Sequence, residues 1–204
     1  MTGTIQCKCW LHGAATPLLA LKHGTREAHK EGTDMPTRQL DVEPTAPNRE
    51  EHGLLLKKAI TAPQVLNEAY RYPRPSSFSR GLRLDIKGIT ILLISGTASI
   101  DENGATLHQG EFRAQTWRTY RNITALLESE GASWKDVVRT TCYLRDIERD
   151  YAAFNEVRTQ FFNEQGLDPL PASTGIQAIL CRPELLVEME AMAIFDSNRK
   201  SKEA

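Results

Sequence analysis

No apolar run in this 204-residue chain approaches the roughly 20 residues that a membrane-spanning helix needs. The early run Ala14–Leu21 is short and broken by Pro17, and no small-residue cleavage pattern follows it, so no signal peptide is read there. An excess of one charge is also missing. Lys and Arg total 25 against 26 Asp and Glu, for a net charge of -1. That removes the electrostatic case for nucleic acid or an anionic membrane as the main partner. Cysteine is scarce, with Cys7, Cys9, Cys142 and Cys181 making four. Cys7-Lys8-Cys9 with His12 has ligand chemistry, but no second pair stands at finger spacing, so no metal is expected. Cys142 and Cys181 fall in apolar strand-like stretches and read as small buried hydrophobes. Nothing asks for an oxidising compartment, and the cytoplasm is the expected location.

What is present divides unevenly. Residues 1–60 carry His, Lys, Glu, Thr and Pro without helical or strand period. They read as a flexible N-terminal extension, because such a segment buries too little apolar area to offset chain entropy. Met35 lies inside it and is a candidate natural start. Weak helical character runs from Gly53 to Tyr72, interrupted by Pro63. Residues 61–80 read as an arm packing on the domain, extended where Pro73 and Pro75 fall. Arg71, Arg74, Arg80 and Arg83 cluster here. They are expected to form a solvated basic arm, although one of them reaching an acidic ligand is a second reading.

Residues 81–196 carry the compact domain. Leu82, Leu84 and Ile86 alternate with polar residues, as in a half-buried strand. Lys87-Gly88 is a turn, and Ile89–Ile94 reads as a central strand covered on both sides. Ser95-Gly96 follows, where small residues let a ligand approach the backbone. Residues 111–130 form a helix with a stripe of Phe112, Thr116, Tyr120, Ile123 and Leu127, stopped by Gly131. Val137–Leu144 is β-branched and aromatic, hence a strand. A second helix is expected over Tyr151–Gln165, capped by Asp150, with Asn155 near its start. Strands Ala172–Leu180 and Leu185–Phe195 end the domain, and 197–204 is a charged tail.

The last strand is unusual. Val187, Met189, Ala191, Ala193 and Phe195 share one face, and Glu188, Glu190, Met192 and Ile194 share the other. A carboxylate beside apolar side chains resists ionising and can hold or pass a proton near neutral pH. An edge or wet interface is the plainer reading of the same pattern. The element order makes an α+β fold, a mixed sheet with two helices on one face. The other face then needs cover, which an oligomer supplies.

These residues together resemble the RidA (YjgF-like) family of enamine/imine deaminases. The likeness rests on Ile94-Ser95-Gly96, Asp136–Thr141, Phe154-Asn155-Glu156-Val157 with Phe161-Phe162, Pro171-Ala172, and Val187–Ala191. It implies a chorismate-mutase-like homotrimer with an inner barrel, ligand clefts between subunits, a small-molecule metabolite as partner and no cofactor. It implies roles for Ser95 and Gly96 as the floor of the cleft, Asn155 as its lining, Glu188 as acid/base on water or leaving ammonia, and Glu190 as companion acid. Three positions depart from the family pattern. Ser173 stands where the family arginine clamps a substrate carboxylate, Gly175 where cysteine is frequent, and Phe78 where the arm carries tyrosine. Ser173, Thr174 and Gly175 remain substrate-binding candidates with Phe78. Ala172–Ile176 also resembles the corresponding strand of chorismatases. A non-catalytic metabolite-binding trimer is the alternative function. A ribonuclease role, sometimes attached to this family, disagrees with the near-neutral charge and the lack of a basic-aromatic stripe.

Overall fold

The structure, a computed structural model, describes residues 55–72 and 75–198. Cys7, Cys9, His12, Met35, Arg74 and the end of the charged tail lie outside the described residues. Six strands and two long helices follow in chain order: β1 (Leu55–Ile60), β2 (Gly81–Ile86), β3 (Ile89–Ala98), α1 (Phe112–Ser129), β4 (Val137–Leu144), α2 (Ile147–Glu164), β5 (Ala172–Gln177) and β6 (Val187–Asp196). They make one mixed sheet in the order β1-β2-β3-β6-β4-β5. Every neighbouring pair is antiparallel except β4 with β5. That parallel pair needs a crossover, and α2 supplies it.

Both helices lie on one face of this α+β sheet, and the core fills the space between. The expected α1 stripe of Phe112, Thr116, Tyr120, Ile123 and Leu127 is buried there. On α2, Phe154, Val157, Phe161 and Phe162 are buried, and the sheet contributes Leu92, Ile94, Val187, Met189, Ala191 and Ala193. An aromatic knot ties the layers together. Tyr120 stacks on Phe161 at 4.3 Å, and Trp134 meets both edge-on, at 5.4 and 5.1 Å. Such pairs add about 0.5–1.5 kcal/mol each beyond area burial. Trp134 is 2% exposed, and its Nε1 donates to Thr124 Oγ1 at 2.8 Å, so its polar atom is satisfied.

The structure corrects the sequence reading at several points. Residues 55–60 belong to the sheet, not to an extension, and the described part of the segment 53–72 holds no α-helix. That part has a strand and a single 3-10 turn at Ala69–Arg71. Pairing with the open edge of β2 outweighs the weak helical period, and Pro63 bars a long helix. Lys58 adds an ion pair with the buried Glu130 at 2.9 Å. α2 starts four residues earlier than expected, because Asp146 rather than Asp150 is its N-cap, accepting from the Arg149 backbone N–H at 3.1 Å. Asp150 is instead buried and gripped by the Arg149 guanidinium. Cys142 is buried, whereas Cys181 is exposed in the loop after β5, which ends at Gln177.

β3 is not covered on both sides within one chain. Thr90, Leu92 and Ile94 are buried, while Ile89 and Leu93 are exposed on the face away from the helices. The register puts Leu82 opposite Leu93 and Leu93 opposite Met192, and aligns Leu84, Ile91 and Ile194 in the next such row. The open face therefore carries a continuous apolar stripe.

Candidate functional site

The pairing of β3 with β6 shifts register between Ile94 and Thr97, so Ser95 and Gly96 form an irregularity facing the stretch that holds Glu190. Bulges of this kind re-aim side chains and recur beside functional sites. Ser95 is tied down by its Oγ donating to Ser79 O at 2.8 Å and its N–H donating to Arg80 O at 3.0 Å. Gly96 has a specific reason to be glycine. A Cβ at this position would stand 2.1 Å from Glu188 Oε1, so the carboxyl group lies against the bare backbone.

Glu188 is paired across the sheet with Ala98 on one side and Tyr143 on the other. Its pKa is pushed up by burial first and by the negative charge of Glu190 second, with Arg80 pulling it down. Tyr143 Oη donates to Glu190 Oε2 at 3.0 Å, which fixes the companion acid. The Tyr143 hydroxyl is itself held above its ordinary range by desolvation and by that hydrogen bond to Glu190. In its protonated form Glu188 can donate to a leaving group, and in its ionised form it can take a proton from water.

Arg80 was read from sequence as part of a solvated arm, and the structure overturns that. It is 2% exposed. Its Nε donates to Asn67 O at 2.8 Å, its Nη2 bonds Asn67 O and Tyr72 Oη, and its guanidinium lies 5.5 Å from the Phe78 ring centre. Phe78, itself exposed, thus joins the same group as Ser95, Gly96, Glu188 and Glu190. Arg83 is likewise engaged, with Asp85 and Glu130.

The remaining candidates gather elsewhere. Ser173 is paired with Thr140, whose side chain is buried on the helix side. Thr140 Oγ1 donates to Ser173 Oγ at 3.0 Å. Gly175 also faces α2, for a Cβ there would be 3.6 Å from the Tyr151 ring. Asn155 lies on the same helix and is joined to Ser173 through Arg158, which donates from Nη1 to Ser173 Oγ at 3.3 Å and from Nη2 to Asn155 Oδ1. Thr174 turns to the other face, where the Arg139 guanidinium reaches its hydroxyl at 3.3 Å.

One chain therefore holds two separate groups. Glu188 shares its row with Tyr143 and Ile176, and Ile176 lies three residues along β5 from Ser173. An odd offset along a strand means opposite faces. The acid and the Ser173 group do not converge within a single copy. Sequence reading missed Tyr143, Arg158 and Tyr151. The signal for the last two was their spacing from Asn155, at i+3 and i-4 on one helix face.

Among the described residues, no group of three or more His, Cys, Asp and Glu has the arrangement to hold a metal ion. No described helix is long and apolar enough to cross a membrane.

Comparison with known proteins follows the same outline. Residues 76–195 match the family described as Endoribonuclease L-PSP. A RutC family protein of Pyrococcus abyssi is 36% identical over 108 residues, covering 53% of this chain and 81% of that protein. The 3-aminoacrylate deaminase RutC of Acinetobacter baylyi is 35% identical over 107 residues, covering 52% and 81%. Among solved structures, RidA from an Antarctic Psychrobacter species superimposes with a TM-score of 0.54 and 25% identity, covering 68% of this chain and 99% of that one.

Proposed function

The chain belongs to the Endoribonuclease L-PSP family, which takes in the YjgF, RidA and RutC proteins, and from that premise we propose that it hydrolyses a small reactive enamine or imine. The carrying observation is the Glu188 carboxyl group, lodged against Gly96 with burial and Glu190 raising its pKa. The relative from Acinetobacter is by name a deaminase of 3-aminoacrylate, an enamine, which supports the same substrate class here.

The chemistry is modest. Water adds to the C=N carbon of the imine, or of the imine tautomer of an enamine. The C–N bond then breaks, leaving a carbonyl and ammonia. Glu188 takes the proton from water as it attacks and returns one to the departing nitrogen. A positioned acid/base contributes typically about 10²–10⁴-fold, enough for a substrate already prone to hydrolysis. No step in this scheme calls on a metal or cofactor.

The reading includes a homotrimer. The apolar stripe on the open sheet face requires cover, and the two candidate groups require a second copy to meet. In this assembly the Glu188 group of one copy faces the Asn155–Ser173 group of the next. Phe78, Ser95, Thr174 and Glu190 frame the cleft, and the partner is a small metabolite rather than RNA.

An imine-scavenging assay tests the proposal. An amino-acid oxidase generates imines, semicarbazide competes for them, and the enzyme lowers semicarbazone yield. Wild type should suppress the adduct, and Glu188→Gln should lose about 10²-fold or more of that effect. Equal behaviour of the two proteins across a panel of imines would leave a non-catalytic metabolite-binding trimer as the function.

A further inference from the structure

Ser173 leaves the β5 strand without a cation, and the described arginines near the arm do not restore one. Arg80 is buried under Phe78 and Tyr72 and spent on Asn67, and Arg83 is paired with acids. Arg71 lies over the Tyr70 ring at 5.7 Å. The helix behind β5 offers another source.

We propose that Arg158, carried by α2 and held over Ser173 beside Asn155, is the carboxylate-binding group of this chain's cleft. The proposal rests on the deaminase reading for its substrate and narrows it to enamines and imines that bear a carboxylate.

Three observations carry it. First, the guanidinium is positioned. Its carbon stands 5.2 Å from the Phe154 ring centre, and its two terminal nitrogens reach Ser173 Oγ and Asn155 Oδ1. Second, it has no acidic partner within ion-pair distance among the described residues, unlike Arg83, Arg113 and Arg149. A half-buried guanidinium among neutral oxygens has donors left over, since it carries five N–H groups. That planar fork matches a carboxylate. Third, the neighbouring surface suits the rest of a small molecule. Gly175, two residues on from Ser173, lies on the same face and presents bare backbone there, where a Cβ would stand 3.6 Å from the Tyr151 ring. Tyr151, Asn155 and Arg158 run down one side of α2 at helical spacing. A carboxylate at Arg158 would thus place its substituent along bare backbone beside an aromatic ring.

The charge also reaches inward. The Cys142 thiol is pushed up by burial, and the hydrogen bonds to Ser173 and Thr140 and the charge of Arg158 oppose that push. The cation is therefore part of a polar nook shared by β4, β5 and α2.

The test uses the full chain and 2-oxobutyrate, a stable carboxylate of the size of the expected product. Calorimetric titration of wild type should show binding, and Arg158→Gln should weaken it by roughly 10- to 100-fold. Arg158→Gln with Ser173→Arg should recover most of the affinity by moving the guanidinium to the strand. In the semicarbazide assay Arg158→Gln should raise KM for an imino acid by the same factor and leave kcat within about threefold, the pattern of lost uniform binding. Turnover of an imine without a carboxylate, made from benzylamine by an amine oxidase, should not change. Unaltered 2-oxobutyrate affinity in Arg158→Gln, no binding to wild type, or equal losses on both imines would each overturn the assignment. The two readings separate cleanly. Binding through Arg158 with no hydrolysis sinks the deaminase and keeps the subsite; hydrolysis indifferent to Arg158 does the reverse.

Discussion

The two faces of the sheet use apolar side chains for different ends. On the helix side, Trp134, Tyr120, Phe161 and Phe162 interlock, and their contacts close within the chain. On the far side Ile89, Leu93 and Ile194 are 49%, 36% and 39% exposed, in line with the partly covered Leu82, Leu84 and Met192. One face has its cover built in; the other has only the promise of a neighbour. Hydrophobicity alone does not separate them, since Leu92 and Leu93 are adjacent and identical. What separates them is which side of the pleat the residue takes and what the chain lays over it.

Substitutions on each face should therefore fail differently. The largest effect is expected for Trp134→Ala, which leaves a cavity in the aromatic knot and removes the Nε1 hydrogen bond to Thr124 Oγ1. Loss of about 3–5 kcal/mol should appear as a lower urea midpoint. A midpoint within experimental error of wild type would show the knot to be dispensable. Leu93→Glu should behave oppositely. The stability of the isolated chain should change by less than about 1 kcal/mol, as for surface positions, while sedimentation shifts from the proposed trimer to monomer. If the trimer survives, the open face is not the contact.

Glu188 supplies the smallest and most selective effect. Its folded-state pKa is raised, so the native chain holds that proton more firmly than the unfolded chain does. The resulting stabilisation is complete below the unfolded-state value near 4.5 and is lost as pH rises through the folded-state pKa. Glu188→Gln, which cannot ionise, should therefore match wild type in melting temperature at pH 4 and exceed it by a few degrees at pH 8. The reverse ordering at pH 8 would mean that the carboxylate is stabilised rather than strained.

Much of this was legible in the sequence, for reasons that differ by element. The α1 stripe and the alternation from Val187 to Phe195 were clear because periodicity over many residues averages out local exceptions. Gly96 and Glu188, far apart in sequence, were linked through resemblance, and the geometry brings them into contact. β1 was not legible, because a short strand on a sheet edge owes its form to β2 and not to its own residues. Arg158 was also missed. A single arginine on an exposed helix looks like any solvated charge until Ser173 and Phe154 are seen beneath it.

The α2 crossover has a wider consequence. It lays the second half of the helix beside the first residues of β5, so positions 158 and 173 open onto one small volume from different parts of the chain. A positive charge can migrate between them through two substitutions while staying almost still in space. Lineages built on this scaffold can then lose a signature residue from the strand and keep its role on the helix, and a motif search confined to the strand would file such descendants as inactive.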